Sequence, residues 1–324
     1  MVLPTHFTLN TGAKIPAVGL GTWRAPPSQV EQVIEVALKS GYRHLDCAAI
    51  YQNEESIGHG IRKSGVPRSD IFITSKLWNT RHAPEDVEAA LDETLRDLGT
   101  DYVDLYLMHW PIAFASGGEF FPVDSEGLFR LADIDAAVTY SAMEKLLQKG
   151  KARAIGVSNF NIRRLEDLLA KTTVVPAVNQ IEAHPYLQQP ELHAFCRSKG
   201  ILVEAFSPLG NNLGGEARTI DDPLVAELGK KLDLDIGQVL CSWAVQRGTV
   251  VLPKSVTPSR LESNLNVTEL PQDAVDQLNA LERHKRYAFP RWWGVDIFGE
   301  VGDEEAKRAA RENAAKSHGR GGAI

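Results

Sequence analysis

Cysteine is scarce in this chain: three among 324 residues. Cys47, Cys196 and Cys241 lie far apart, and no C-x-x-C spacing occurs. That excludes a disulfide framework and a cysteine-rich zinc site. A basic excess is also missing. The net charge is −7, the wrong sign for a phosphate backbone, so no nucleic-acid partner is expected. No apolar run approaches the length of a membrane span, so no membrane partner is expected either. The opening MVLPTHFTLNTG has neither the charged start nor the apolar stretch of a secretory signal. A reducing compartment, the cytoplasm, is the expected location. His109, His184 and His193 do not follow a metal-ligand spacing, and no metal is expected. With 43% apolar and 24% charged residues, the chain has the composition of a folded protein.

What is present is alternation. FTLNTGAKIPAVGLGTW reads as a hairpin turning at Asn10, Thr11 and Gly12. Beyond it, short β-branched segments such as IFITSK alternate with segments of helical period. In PPSQVEQVIEVALKS, Val30, Val33, Ile34 and Ala37 share one face behind a starting proline. Counting AVGLG as the first, eight strands are each followed by a helical pattern, which predicts an α/β fold of the (β/α)8 TIM-barrel type. A doubly wound sheet is the rival. It lacks support because no GxGxxG follows the first strand, and no GxxxxGK occurs anywhere.

Two segments interrupt the pattern. Residues 111–137 are too long for a tight connection, and residues 285–298 (KRYAFPRWWGVDIF) carry five aromatics. Both are expected as long loops on the C-terminal rim. One domain is expected over residues 1–298, followed by a charged tail, 299–324, that is mobile or a frayed helix.

In a barrel, chemistry collects where strands end. Strand two ends in Asp46 with Tyr51 just beyond, strand three in Lys76, and strand four in His109 with Trp110 next. Strand five ends in Ser158 and Asn159. Asn179, Gln180 and Glu182 lie on strand six, Phe206 and Ser207 end strand seven, and Lys254 and Ser255 end strand eight. Singly, each has a plain reading as a solvated charge, a packing residue or a helix cap. Asp, Tyr, Lys and His gathered on three consecutive strand ends point to proton transfer.

The runs GYRHLDCAAIYQNE, ITSKLWN, LYLMHWP, GVSNF, NQIEAHPYLQQ and LPKSVTPSR, in that order, resemble the aldo-keto reductase family. The resemblance spans about residues 7–298. It implies a (β/α)8 barrel that binds NADPH/NADP along its rim without a Rossmann domain. It assigns Tyr51, Asp46, Lys76 and His109 to a catalytic tetrad. A free tyrosine has a pKa of about 10, and a neighbouring Lys76 ammonium would lower it. Asp46 would hold Lys76, and His109 would orient the carbonyl oxygen.

The resemblance also implies the cofactor contacts. Ser158, Asn159 and Gln180 would meet the nicotinamide carboxamide, and Phe206 would stack on the ring in place of the family's usual tyrosine. Thr22, Trp23, Ser207 and Leu209 would line the cofactor's path. Lys254, Ser255, Val256, Thr257 and Arg260 would clamp the 2′-phosphate, and Asn264 would touch adenine. Ser263 stands where the family often has glutamate. Trp23, Trp78, Trp110, Phe120 or Phe121, and Trp292 or Trp293 would wall a substrate pocket. Cys47 and His184 read as structural.

The implied activity is NADPH-dependent reduction of small aldehydes and ketones, with polyol oxidation in reverse. The segment WWGVDIFGE is similar to fungal members of the glycerol dehydrogenase and glyceraldehyde reductase kind, which favours glycerol or glyceraldehyde-type substrates. Xylose or broad-range aldose and carbonyl reduction are alternatives. A cofactor-binding structural or regulatory homologue with little turnover is the alternative from another class. A monomer is expected.

Overall fold

The computed structural model describes residues 3–211, 215 and 217–317. Eight strands form one parallel sheet. They are β1 (Leu20–Gly21), β2 (His44–Asp46), β3 (Phe72–Leu77), β4 (Leu105–Met108), β5 (Ile155–Ser158), β6 (Val178–Glu182), β7 (Leu202–Phe206) and β8 (Val250–Leu252). Neighbours in the sheet are neighbours in the chain. A bridge between Val18 and Val251 closes the ring, with Gly19 N–H donating to Val251 O at 2.9 Å. The expected (β/α)8 barrel is therefore the fold.

The two-residue period of each strand sorts its side chains. On β4, Leu105 and Leu107 join Ala154, Val178, Val250 and Leu252 inside the barrel. Tyr106 and Met108 face outward into the layer between sheet and helices. The antiparallel hairpin His6–Thr8 and Lys14–Pro16 precedes the barrel. It adds Leu9 and Ile15 to the interior cluster and so plugs the bottom.

The helices are α1 (Pro27–Lys39), α2 (Glu54–Ser64), α3 (Pro84–Leu98), α4 (Ala136–Gln148), α5 (Ile162–Lys171), α6 (Pro190–Ser198), α7 (Pro223–Leu232), α8 (Ile236–Gln246) and α9 (Pro258–Leu265). In α3, local chemistry sets both ends: a first-turn proline, Glu85 and Asp86 at the positive end of the dipole, and Gly99 left-handed at φ 69° after the last turn.

Three elements go beyond the sequence reading. A further helix, α10 (Gln272–Asn279), follows α9. The 111–137 loop contains a small antiparallel pair, Ala113–Phe114 with Leu131–Ala132. The charged tail forms α11 (Asp303–Ser317), which buries Ala306, Ala310 and Ala314 along one face. Its last part, residues 318–324, lies outside the described residues.

The aromatic segment 285–298 is a strap tied at several points. Glu182, at the end of β6, accepts from the backbone N–H of Tyr287 at 2.9 Å and of Ala288 at 2.7 Å. Asn161 and Arg164 donate to the carbonyls of Phe298 and Ile297, each at 2.9 Å. Asp296 accepts from the backbone of Gly299, Glu300, Val301 and Gly302, which turns the chain into α11.

Candidate active site

β2 delivers Asp46 and β3 delivers Lys76 to the upper interior of the barrel, one strand apart. Lys76 Nζ donates to Asp46 Oδ1 at 2.6 Å and to Cys47 O at 2.9 Å. The lysine side chain has no exposed surface and the aspartate 5%. Two charges that dry interact strongly, and neither has water as an alternative partner. Burial pulls the Lys76 ammonium down, but Asp46 and Tyr51 outweigh it and raise it above the ordinary lysine range. Lys76 is a permanent cation.

Tyr51 sits on a single 3₁₀ turn, Ala49–Tyr51, between β2 and α2. Its ring centroid is 5.3 Å from Lys76 Nζ. Burial pushes the phenol up to about 12, while the Lys76 charge and a hydrogen bond to it pull the other way. The effect of the lysine is legible in the sequence; the larger effect of burial is set by the fold. Tyr51 nevertheless stays only half-buried.

His109 ends β4. Its ring lies 5.9 Å from that of Tyr51, edge to face. Burial, then Lys76 and His82, hold its imidazole far below the usual histidine range. It is neutral, and its buried Nδ1 has no protein partner. All four residues expected in the tetrad are thus within one cluster.

An aromatic wall stands beside it. Trp78 meets His109 at 5.3 Å, and Trp110 lies 6.3 Å from His109 with near-parallel planes. Trp293 packs on Trp110 at 5.1 Å and on Phe114 at 5.0 Å, and Phe121 packs on Trp78 at 5.4 Å. Trp78 Nε1 donates to Phe120 O at 2.7 Å, tying the 111–137 loop to the end of β3. Of the paired alternatives, Phe121 and Trp293 turn inward, whereas Phe120 (37%) and Trp292 (42%) are exposed. Trp23 is exposed on the β1 side.

The sequence profile of the aldo/keto reductase family matches residues 17–283. The chain is 46% identical over 294 residues to aldo-keto reductase family 1 member A1 of Cricetulus griseus, covering 87% of this chain and 91% of that protein. Identity to the Homo sapiens protein of the same name is 45%, covering 87% and 90%. The aldose reductase of Schistosoma japonicum superposes with a TM-score of 0.85 at 38% identity, covering 90% of this chain and 97% of that one. The chain belongs to the aldo/keto reductase family. It is an NADP-dependent oxidoreductase.

The reductase's rim fits a phosphorylated dinucleotide. Lys254 and Arg260 are exposed cations with no carboxylate partner among the described residues, an arrangement suited to a bound phosphate. Ser255 Oγ accepts from Thr257 N–H at 3.1 Å, shaping the turn between β8 and α9. Val256 is half-buried beneath it. Asn264 is buried, and its Oδ1 closes on Gly237 of α8, where a Cβ would come within 2.4 Å. On β5, Ser158 Oγ donates to Gln180 O at 2.9 Å, and Asn159, left-handed at φ 65°, donates to His109 O at 2.9 Å. Gln180 Nε2 donates to Asp46 Oδ1 at 2.8 Å. Phe206 is half-buried, Ser207 is left-handed at φ 49°, and Leu209 O accepts from Ile220 N–H at 3.0 Å. Thr22 Oγ1 donates to Asp46 O at 2.8 Å, bracing the tetrad from β1.

Sequence reasoning missed Glu182 as the strap's anchor and gave Glu204 no role. Glu54 was missed as well. Its carboxyl accepts from Ser75 at 2.6 Å and Thr94 at 3.0 Å, and burial pushes it up to about 7. Each is an acid within an otherwise apolar or helical run, which is the one signal the sequence offered.

Proposed function

We propose that this reductase converts small aldehydes and ketones to alcohols, with Tyr51 as the proton donor and His109 as the group that orients the carbonyl oxygen. The observation that carries the reading is the Tyr51–Lys76–Asp46 cluster at the open mouth. Reduced nicotinamide, when bound, supplies a hydride to the carbonyl carbon. The oxygen then needs a proton and a donor to hold it. Lys76, fixed by Asp46, favours the phenolate and makes Tyr51 a better acid than burial alone would allow. Neutral His109 keeps its proton on Nε2, since a buried Nδ1 lone pair costs less than a buried unpaired Nδ1–H. Its Nε2–H then donates to the substrate oxygen beside the phenol. In the oxidative direction Tyr51 takes the proton back.

Ser158, Asn159 and Gln180 would hold the carboxamide, and Phe206 would support the ring. Ser207 and Leu209 would meet the pyrophosphate, with Thr22 and Trp23 across the groove. Lys254, Ser255, Val256, Thr257 and Arg260 would hold the 2′-phosphate, with Asn264 near adenine. Trp78, Trp110, Phe121 and Trp293 form the apolar wall, with Trp23, Phe120 and Trp292 at its entrance. The name of the Cricetulus griseus relative, an aldo-keto reductase, and that of the Schistosoma japonicum neighbour, an aldose reductase, support carbonyl chemistry. The similarity of WWGVDIFGE to fungal members of the glycerol dehydrogenase and glyceraldehyde reductase kind supports glyceraldehyde and glycerol as the substrate pair. We place the enzyme in the cytoplasm as a monomer. A panel of glyceraldehyde, dihydroxyacetone, xylose and an aromatic aldehyde, each with NADPH and NADH, tests the reading. Highest kcat/KM with NADPH and glyceraldehyde supports it; no turnover with any of the four contradicts it.

A further inference from the structure

Within LVEAF, β7 places one acid in an apolar strand. Val203 and Ala205 point outward to the helices, so Glu204 points into the barrel, where it is fully buried. A buried carboxyl is costly unless its partners are well arranged. Gln180 Nε2 donates to Glu204 Oε2 at 2.6 Å and to Asp46 Oδ1 at 2.8 Å. One amide nitrogen thus ties two carboxyl groups together, and one of them is the counterion of Lys76. Glu204 Oε1 approaches His44 Nε2 at 3.4 Å but makes no hydrogen bond.

We propose that Glu204 is a positioning residue of the reductase: it holds Gln180 between itself and Asp46 and, of the two carboxyl groups, leaves Asp46 as the one that pairs with Lys76. The proposal rests on the reading of Tyr51, Lys76 and Asp46 given above.

The surroundings leave one cation for two acids. β2 contributes Asp46 and His44, β3 contributes Lys76, β6 contributes the uncharged Gln180, and β8 is the apolar run Val250–Leu252. Burial holds His44 neutral, down to about 3. Burial, then the Asp46 charge, push the Glu204 carboxyl well above the ordinary carboxylate range. At neutral pH it keeps its proton. Above that pH a second anion faces Lys76 and weakens the field through which the ammonium acidifies Tyr51. Activity is therefore expected to fall on the alkaline side, as Glu204 loses its proton. The same sign holds for stability. The folded-state value lies above the unfolded one, so the favourable contribution is full at acid pH and is lost as pH rises through the folded value. Gln180 gains a fixed orientation: with both N–H bonds committed, it offers its carbonyl oxygen to a carboxamide.

Infrared difference spectroscopy of cofactor-free wild type against Glu204→Gln reads the proton directly. The expected result is a carbonyl band of a protonated carboxylic acid at neutral pH, fading as the pH is made alkaline. No such band at neutral pH overturns the proposal. In turnover, wild-type kcat/KM is expected to fall severalfold between about pH 7 and about pH 9, while the Glu204→Gln profile stays flat whatever its absolute value. An unchanged alkaline fall in Glu204→Gln overturns the proposal. Glu204→Leu strands one Gln180 N–H, and NADPH binding followed by fluorescence is expected to weaken about tenfold. Tyr51→Phe separates the two readings: an active Tyr51→Phe with the infrared band intact would defeat the proton-donor assignment and leave the protonation of Glu204 standing.

Discussion

The ammonium of Lys76 lies 2.6 Å from Asp46 Oδ1, where the two side chains are 0% and 5% exposed. The pair is dry, beside a tyrosine that is only half-buried. On the function proposed above, its role is electrostatic: Asp46 keeps Lys76 charged and in place, and Lys76 acts on Tyr51 from 5.3 Å.

Asp46→Asn removes the counterion of Lys76 while keeping an amide oxygen that can still accept from Gln180. The expected outcome is a loss of kcat of about 100-fold and a loss of about 3 kcal/mol in unfolding free energy. Steady-state kinetics and urea denaturation read the two effects separately.

Arg260 is exposed and has no carboxylate partner among the described residues, so its guanidinium is available to a phosphate dianion. Arg260→Ala should weaken NADPH binding by about 10- to 100-fold, the worth of one charged hydrogen bond, with little change for NADH. Titration of intrinsic fluorescence with each cofactor measures the ratio. Equal losses for both would remove Arg260 from the 2′-phosphate site.

Glu182 accepts from His184 Nε2 at 2.8 Å as well as from the backbone of Tyr287 and Ala288. Glu182→Ala leaves those backbone donors without their partner, each worth about 1–3 kcal/mol. The strap carrying Trp293 should loosen. A lower Tm and a raised KM for an aromatic aldehyde, with a smaller change for glyceraldehyde, are expected.

His82 is buried with neither ring nitrogen bonded, and burial holds its imidazole down to about 3. A folded-state value below the unfolded one means that stability is full near neutrality and falls as pH drops from about 6.5 towards the folded value. His82→Leu should flatten that acid limb in a Tm-against-pH series. An unaltered limb would show that His82 does not govern it.

The barrel was legible because each unit states its own period. HLD, IFITSK and ILVEAF read as strands, and the prolines and glycines around α3 mark its ends. The tetrad was legible because strand ends converge in a closed parallel sheet. What was not legible depends on distance across the barrel. Glu204 meets Asp46 only through Gln180, 24 positions away. Glu182 reaches the backbone of Tyr287 105 positions on, a contact no local pattern encodes. In the tail, the charges concealed the fourfold spacing of Ala306, Ala310 and Ala314, which marks a docking face. The phenol of Tyr51 was read from its charged neighbour alone, whereas its burial depends on the folded rim.

The most direct measurement is a single-turnover experiment: Tyr51→Phe, saturated with NADPH, mixed with glyceraldehyde and followed by loss of nicotinamide absorbance. The account predicts a rate at least about 100-fold below wild type, with the dissociation constant for NADPH unchanged. A rate within a few-fold of wild type would contradict the assignment of the proton to Tyr51, and with it the role given to Lys76 and Asp46.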